Sequence, residues 1–158
     1  MRHAVLVLPL VLFACDPDPE PAAAPPETYV PMSDAQLEAD LTEAKARAGA
    51  SERRILLDFG ADWCPDCREV LRLAHESPVK ELLAERYETL VIDVGRFDQH
   101  EELLQRFHID RIATLVVLDA EGERVAQTTL EPISGAAEGL TADDLAGWLR
   151  TPRDHWQP

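Results

Sequence analysis

Two cysteines three residues apart carry the most specific chemical signal in this sequence. Cys64 and Cys67 enclose Pro65 and Asp66, and the pair follows closely on a short apolar segment. A helix that begins at Pro65 places Cys64 at its N-terminus, where backbone N–H groups and the helix dipole favour a thiolate. The spacing then brings both sulfur atoms to one helix face, within reach of a disulfide. The pattern predicts redox chemistry, with Cys64 as an exposed nucleophile and Cys67 as a sheltered resolving thiol.

The same spacing has two other interpretations. A C-x-x-C pair is half of a zinc ribbon, but the sequence has no second cysteine pair, and His75, His100 and His108 fall on separate predicted elements. An inert structural disulfide is the other alternative. We therefore expect no metal, and no cofactor other than a redox-active disulfide between Cys64 and Cys67.

Asp58 is the second residue whose position points to chemistry. It lies inside an apolar stretch, six residues before Cys64. An unpaired buried carboxylate is costly and its pKa rises, and such a group beside a dithiol can act as a general base. The alternative is an aspartate at a frayed strand end that is hydrogen-bonded to a turn. The sequence leaves both interpretations open.

The segments that must position this site alternate between helical and extended patterns. Apolar periodicity, capping residues and turn signals predict helices at about 34–49, 65–75, 79–87 and 99–107 and after Thr141, and strands at 54–59, 89–94, 114–118 and 124–130. Gly49 is expected to close the first helix. Strands joined through helices give right-handed crossovers and a parallel pair, whereas the last two strands form an antiparallel hairpin. The predicted fold class is α/β, with a mixed central sheet and helices on both faces.

Composition and charge restrict the class of protein. The chain has 158 residues, of which 46% are hydrophobic, so one domain with a real core is expected. The net charge of −15 comes from 30 acidic and 15 basic residues. That balance argues against nucleic acid as a partner and against a basic membrane-surface patch, because both need clustered Lys and Arg.

The first fifteen residues indicate export. Met1–His3 is a short basic start, and Ala4–Ala14 is apolar apart from one proline. This run is too short to span a bilayer, which takes about 20 residues, but it suits the h-region of a secretory signal. It ends Leu12-Phe13-Ala14-Cys15, which resembles the lipobox of bacterial lipoproteins. That resemblance implies lipidation of Cys15, which would also explain an odd number of cysteines. The alternative is an ordinary cleaved signal with a stray cysteine.

Residues 16–31 differ in composition from the rest of the chain, because six of these sixteen residues are proline and four are acidic. Such a segment is expected to stay extended and outside any core, and at about 3.1 Å per residue it would hold a domain up to roughly 50 Å from its anchor. A ligand for an SH3-type domain is the other interpretation. The predicted organisation is a signal peptide at 1–14, a lipidated cysteine and tether at 15–33, and a folded domain at 34–158.

The segment Asp58–Cys67, Asp-Phe-Gly-Ala-Asp-Trp-Cys-Pro-Asp-Cys, resembles the active-site segment of the thioredoxin family. The similarity extends over nearly the whole predicted domain and is greatest to the exported group that includes the bacterial thiol–disulfide interchange proteins. It implies a thioredoxin-like fold in which Cys64 is the nucleophile and Cys67 the resolving cysteine. Asp58 then falls on the family's buried acid, and Trp63 on the aromatic residue that flanks the disulfide.

The sequence departs from the family pattern at three places. The family has a cis-proline before the threonine of its third long strand, and Ala113 stands there, between Ile112 and Thr114. The peptide at Ala113 could be cis or trans, and in either case Ile112 and Ala113 are expected to face the dithiol. Gly60 replaces a second aromatic, and the stretch near Thr89 lacks the lysine that commonly partners the buried acid. The residues expected to shape the substrate-binding surface are Trp63, Pro65, Asp66, Ile112, Ala113 and Thr114.

Charges next to the cysteines favour a reductant over an oxidant. Asp62 and Asp66 flank Cys64 and oppose formation of its thiolate, whereas Arg68 supports it. A less stabilised thiolate makes the dithiol form less favourable relative to the disulfide, so the dithiol gives up its electrons more readily.

The predicted function is that of an exported, membrane-anchored thiol–disulfide oxidoreductase on the periplasmic side of a bacterial membrane. Its expected partners are protein thiols and disulfides, and the resemblance implies a membrane electron donor. Asp16, directly after Cys15, resembles the inner-membrane retention signal of enteric lipoproteins. Two alternatives stay open: a module that binds a soft metal through the cysteine pair, favoured by Ala113, and a non-catalytic partner-binding lipoprotein.

Overall fold

A computed structural model describes residues 20–130 and 139–155. The predicted signal peptide at 1–14, Cys15 and the first residues of the predicted tether lie outside the described residues. The elements in chain order are α1 (Asp34–Ser51), β1 (Arg54–Gly60), α2 (Pro65–Ala74), α3 (Val79–Arg86), β2 (Tyr87–Asp93), α4 (Glu101–Arg106), β3 (Thr114–Leu118), β4 (Arg124–Thr129) and α5 (Ala142–Arg150). Every helix and strand that the sequence predicts is present, with boundaries that move by one or two residues.

The sheet is mixed, with strand order β2-β1-β3-β4. β1 and β2 are parallel, and α2 and α3 form the crossover between them. β3 runs antiparallel to β1, and β4 runs antiparallel to β3. The prediction of one parallel pair and a late antiparallel hairpin is therefore confirmed.

Side chains of β1 alternate between two cores, one on each face of the sheet. Ile55, Leu57 and Phe59 belong to the core that includes residues of α1 and α4. Leu56 belongs to the other core, which α2, α3 and α5 cover. Asp58 lies two residues after Leu56 in the strand, so both side chains are on the same face of the sheet. This is the α2 face, where the two cysteines also lie.

The first helix ends later than the sequence predicts. Gly49 lies inside α1, which continues to Ser51. Glu52 takes the left-handed conformation at φ 54° and its N–H donates to the Ala48 carbonyl, so it performs the capping role expected of a glycine. At its other end α1 is capped by Ser33, whose side chain accepts a hydrogen bond from the Gln36 N–H.

The proline-rich segment before α1 packs against the domain, so the expectation that residues 16–31 make no core is wrong for its described part. Pro25 and Tyr29 are buried, and the Ala22 N–H donates to the Ala84 carbonyl at 3.0 Å. A proline-rich extended backbone makes no hydrogen bonds within itself, so its amides and carbonyls are free to pair with a neighbouring surface. The buried side chains of Pro25 and Tyr29 then hold the segment against the domain.

Candidate active site

The C-x-x-C motif lies at the junction of β1 and α2, as the sequence predicts. Cys64 is the N-cap of α2 and Pro65 is its first residue. Cys64 and Cys67 form a disulfide with their Cα atoms 5.3 Å apart. The Cys67 N–H donates to the Cys64 sulfur at 3.2 Å, so a donor of the helix N-terminus already points at this sulfur. The same donor can stabilise a thiolate at Cys64 after reduction.

The two cysteines differ in exposure in the expected order, although both are largely covered. Cys64 is 5% exposed and Cys67 is 0% exposed. Only Cys64 therefore presents any surface to an incoming sulfur, and Cys67 lies beneath it in the core.

Asp58 is buried in the middle of β1, so the alternative of an aspartate at a frayed strand end is wrong. It is 3% exposed and lies between Val91 of β2 and Leu115 of β3. Burial raises the pKa of Asp58 to about 7, and a hydrogen bond from Tyr29 partly offsets that rise. A carboxyl group with a pKa near neutrality can both take and release a proton under physiological conditions.

Tyr29 is the partner of Asp58, and it was not among the site residues predicted from the sequence. Its hydroxyl lies 3.0 and 3.1 Å from the two carboxylate oxygens of Asp58. The same hydroxyl lies 3.4 Å from the carbonyl oxygen of Cys67. The Tyr29 backbone N–H donates to Asp62 Oδ1 at 3.0 Å, which fixes the residue at both ends. The phenol thus joins the buried acid to the cysteine predicted to resolve mixed disulfides.

Gly60 provides the space that Tyr29 occupies. A Cβ atom at position 60 would lie 2.3 Å from Cζ and 2.4 Å from the hydroxyl oxygen of Tyr29. The departure from the family pattern at Gly60 therefore has a structural reason, because an aromatic ring from the N-terminal segment packs against this glycine. The combination of a small residue here and an isolated tyrosine in a proline-rich segment was the signal that could have revealed the contact.

Trp63 forms an exposed rim beside the disulfide. Its ring is 50% exposed, and its Nε1–H donates to the Gly95 carbonyl at 2.7 Å. The Arg96 guanidinium lies 6.0 Å from the ring centroid, at the limit of a cation–π contact. Asp66, in the first turn of α2, is half-buried. Arg68 donates to the backbone carbonyl of Asp62, so its guanidinium is already engaged at the base of this rim.

The segment that replaces the family's cis-proline is largely buried. The Ile112–Ala113 peptide bond is cis. Ala113 belongs to the same core cluster as both cysteines, and Ile112 packs against that cluster. Thr114 begins β3 opposite Phe59, and its hydroxyl donates to the Arg111 carbonyl at 2.8 Å.

A second buried oxygen lies near Asp58. Thr89 of β2 and Asp58 line the same small cavity, together with Pro25 from the N-terminal segment. Within the part of the chain that the structure describes, the Thr89 hydroxyl has no hydrogen-bond partner. The stretch near Thr89, which lacks the lysine common in the family, therefore contributes a small polar group and no cation to this cavity.

Residues 36–120 match the thioredoxin-like family, and this match covers more than half of the chain. Together with the mixed sheet and the cysteine pair at the start of α2, it shows that the chain belongs to the thioredoxin-like family. The predicted fold is confirmed.

Similar proteins include thiol:disulfide interchange proteins. The chain is 27% identical over 111 residues to DsbD of Actinobacillus pleuropneumoniae, an alignment that covers 69% of this chain and 18% of that protein. It is 29% identical over 140 residues to DsbD 2 of Pseudomonas aeruginosa, covering 87% of this chain and 21% of that protein. The chain thus spans about a fifth of the length of these curated relatives.

Solved structures show the same fold. A disulphide isomerase from Xylella fastidiosa superposes with a TM-score of 0.66 at 28% identity, covering 77% of this chain and 93% of that one. The oxidised C-terminal domain of DsbD from Neisseria meningitidis superposes with a TM-score of 0.58 at 22% identity, covering 78% of this chain and all of that domain. In residues 20–130 and 139–155, no helix has the length and hydropathy required to cross a membrane.

Proposed function

We propose that this protein is a thiol–disulfide oxidoreductase that reduces disulfides of other proteins through Cys64 and Cys67. The observation that carries the proposal is the disulfide between these residues at the N-terminus of α2, above a buried carboxyl group that no cation compensates in the described part of the chain. The similarity to thiol:disulfide interchange proteins supports the same class of reaction.

The first step is attack by the more accessible sulfur. In the reduced protein, the Cys64 thiolate attacks one sulfur of a substrate disulfide. A mixed disulfide forms, and the other substrate sulfur leaves with the electron pair and takes a proton from solvent. The N–H of Cys67, which contacts the Cys64 sulfur, stabilises the thiolate before attack.

The second step is resolution by the buried sulfur. The Cys67 thiol gives its proton to the Asp58 carboxylate, and the resulting thiolate attacks the Cys64 sulfur. The bond between Cys64 and the substrate breaks, and the substrate leaves as its second thiolate. Two electrons have then passed to the substrate, and the protein carries the Cys64–Cys67 disulfide. A dithiol donor at the membrane would return it to the reduced form.

The charges at the rim support net reduction as the direction of electron flow. Asp62 and Asp66 lie two residues before and two residues after Cys64 in the sequence, and their two carboxylates outnumber the single guanidinium of Arg68. The Cys64 thiolate is therefore opposed by nearby negative charge, which makes the dithiol the better electron donor.

Substrate proteins would dock on the exposed rim around the disulfide. The half-exposed ring of Trp63 offers a large apolar contact at one side of Cys64. The exposed Pro65 and the half-buried Asp66 are proposed to extend this surface, and the half-buried Ile112 and the buried Ala113 and Thr114 are proposed to shape it from beneath.

We further propose that Cys15 carries a lipid and anchors the domain at the periplasmic side of a bacterial membrane, with the inner membrane favoured by Asp16. The lipobox resemblance and the odd number of cysteines support this proposal. Labelling with palmitate should mark the wild type and not a Cys15→Ser variant, which should also leave the membrane fraction. Label that survives in Cys15→Ser would contradict lipidation at this residue.

The test of the reaction is turnover with a protein disulfide. Reduction of insulin by dithiothreitol should be accelerated by the wild type and by Cys15→Ser, which keeps the reactive pair. Cys64→Ser should lose all acceleration, and Cys67→Ser should accumulate a mixed disulfide that mass spectrometry detects. Capture by Cys64→Ser and not by Cys67→Ser would reverse the two roles. Stoichiometric soft metal on the reduced wild type without turnover would favour the metal-binding alternative.

A further inference from the structure

Tyr29 reaches the active site from outside the part of the chain that matches the thioredoxin-like family. The family match begins at residue 36, in α1, whereas Tyr29 belongs to the proline-rich segment before that helix. Its ring is 2% exposed and packs against Gly60. A residue outside the family match therefore supplies the hydrogen-bond partner of the buried acid.

The Tyr29 hydroxyl can satisfy Asp58 in both of its protonation states. When Asp58 is ionised, the phenol donates to the carboxylate at 3.0 and 3.1 Å. When Asp58 is protonated, its own O–H can donate to the phenol oxygen, and the phenol proton can turn to the Cys67 carbonyl at 3.4 Å. The hydroxyl thus accommodates the proton transfer without any movement of the backbone.

The phenol itself stays protonated. Burial and the nearby carboxylates of Asp58, Asp62 and Asp93 raise the pKa of Tyr29 far above its usual range. Tyr29 is therefore a hydrogen-bond donor to the carboxylate at any pH the protein meets, and it does not compete for the Cys67 proton.

Among the described residues, Tyr29 is the only side chain that hydrogen-bonds the Asp58 carboxyl group, and the other ionisable groups nearby are the two cysteines and the carboxylates of Asp62 and Asp93, which act on Tyr29. The N-terminal segment contributes Tyr29, and α2 contributes the cysteine pair. Thr89 of β2 is polar but not ionisable. The remaining side chains that line the adjoining cavity are apolar and come from the N-terminal segment, β1, α2, α3, β3 and α5.

We propose that Tyr29 is a positioning residue for the resolving step: from a segment outside the family match, its hydroxyl holds the Asp58 carboxylate beside Cys67 and its ring keeps water away from that carboxylate. The proposal deepens the proposed function and rests on it. Tyr29 exchanges no proton with the substrate. It sets the pH at which Asp58 can take the proton of Cys67.

The hydroxyl and the ring of Tyr29 have opposite effects on the pKa of Asp58. Substitutions at this one position can therefore test the proposal. Tyr29→Phe removes the hydrogen bond and keeps the ring, so the ionised carboxylate loses its donor and the pKa of Asp58 should rise. Tyr29→Ala removes the ring, so water can enter a polar site and solvate the carboxylate. Because burial is the largest cause of the raised pKa, the pKa of Asp58 should fall in this variant.

The experiment separates the two steps of the reaction in a stopped-flow instrument. The full chain carrying Cys15→Ser, purified in detergent and reduced, is mixed with one equivalent of DTNB. Attack by Cys64 releases the first thionitrobenzoate, and resolution by Cys67 releases the second. The rate of the second phase is recorded from pH 5 to pH 9 for the parent and for each variant at position 29.

In Tyr29→Phe, the midpoint of the pH profile of the second phase should move up by about one pH unit, with a roughly threefold to tenfold slower rate at pH 7. In Tyr29→Ala the midpoint should move down. The first phase should be unchanged in both variants. In an Asp58→Asn background, Tyr29→Phe should have no further effect on the second phase, because the group that it positions is absent.

Tyr87→Phe is the matched control. Tyr87 is equally buried, and its hydroxyl donates to the Leu149 carbonyl instead of to Asp58. Loss of this hydroxyl should lower thermal stability and leave the pH profile in place. A profile of Tyr29→Phe that coincides with the parent, a shift in the same direction for both variants at position 29, or an equal slowing in the Asp58→Asn background would overturn the proposal. A parent that never releases the second thionitrobenzoate would instead contradict the proposed function.

Discussion

Two carboxyl groups are buried on neighbouring strands of the sheet, and they are held in different ways. Glu88 of β2 is 4% exposed and accepts hydrogen bonds from Arg53 at 2.9 Å and from Arg47 at 2.8 Å. Asp58 of β1 is equally buried, and in the described residues its side chain has the neutral hydroxyl of Tyr29 as its hydrogen-bond partner. Among the described residues, Glu88 is paired with two cations, whereas Asp58 is paired with none.

This difference separates a structural charge from a reactive one. A buried ion pair that keeps both partners holds its charges fixed, and removal of one partner leaves the other uncompensated. A buried carboxyl group without a cation can change its protonation state at a modest cost near neutral pH. Burial alone therefore does not distinguish the two acids. We infer a reactive role for Asp58 because no cation lies beside it among the described residues and because it shares a face of the sheet with the cysteine pair.

The largest effect is expected for Glu88, the buried acid that is paired with two cations. Glu88→Gln should lower the free energy of unfolding of the oxidised protein by about 3–5 kcal/mol, because the buried guanidinium of Arg53 loses its counter-charge. Chemical denaturation at pH 7 measures this loss. Glu43→Gln is the control, since Glu43 is an exposed partner of Arg47 and its loss should cost less than about 0.5 kcal/mol. Equal losses of stability in the two variants would show that the buried ion pair contributes no more to stability than the exposed one.

Asp58→Asn, in contrast, should raise the free energy of unfolding, and it should do so only at neutral and alkaline pH. The folded protein holds the Asp58 proton up to a pKa of about 7, whereas the ordinary value is 3.8. The free energy of unfolding of the wild type therefore falls as pH rises from about 4 to about 7, and this contribution is constant above that range. The variant lacks this dependence. It should match the wild type near pH 4 and exceed it by on the order of 2–4 kcal/mol at pH 8. Denaturation curves at both pH values test this, and a difference that does not vary with pH would contradict it.

The same substitution should slow resolution. An amide cannot take the Cys67 proton, so the second phase of the DTNB reaction should fall by about 10²-fold at pH 7 in Asp58→Asn. The deficit should shrink at high pH, where Cys67 ionises without a base. Glu88→Gln, measured at a temperature where it is folded, should keep the wild-type profile. A pH profile of Asp58→Asn that equals that of the wild type would show that this carboxyl group has no part in the proton transfer.

The smallest expected effect concerns a carboxylate that water can reach. Asp66→Asn should make the reduction potential less negative by about 10 mV, because it removes a negative charge that opposes the Cys64 thiolate while solvent screens much of that charge. Equilibration with glutathione gives the potential. Glu38→Gln, on the opposite face of the sheet in α1, should leave the potential unchanged. A more negative potential in Asp66→Asn would contradict the assignment of this residue as one that favours reduction.

The sequence was sufficient to predict the elements around the cysteines, because the signals are local. Pro65 at the start of α2, the nearly continuous apolar run in β1 and the turn before β4 each act within a few residues, and the family resemblance joined them into a sheet. The sequence left open whether Asp58 is buried or lies at a frayed strand end, and the structure decides for burial. Local signals failed at the end of α1, where Glu52 adopts the left-handed conformation that is more usual for glycine, although Gly49 is only three residues away.

Tyr29 and the pair of Arg53 with Glu88 were beyond prediction for a different reason. Each contact joins residues far apart in the sequence, at a separation of 29 for Tyr29 and Asp58 and of 35 for Arg53 and Glu88. The tyrosine also lies in a segment without periodicity, whose composition indicates an extended chain and gives no register. Only Gly60, as an unexpectedly small residue, hinted that a side chain from elsewhere fills the space beside it.

The contact between Tyr29 and Gly60 also has a consequence for how these two positions evolve. A ring at position 29 and a Cβ at position 60 cannot occupy the same space, since the two would come within 2.3 Å. A lineage that keeps the docked tyrosine must therefore keep glycine at position 60, and a lineage that loses the N-terminal segment is free to place a larger residue there. These two positions, 31 residues apart in the sequence, should change together during descent, as though they were a single site.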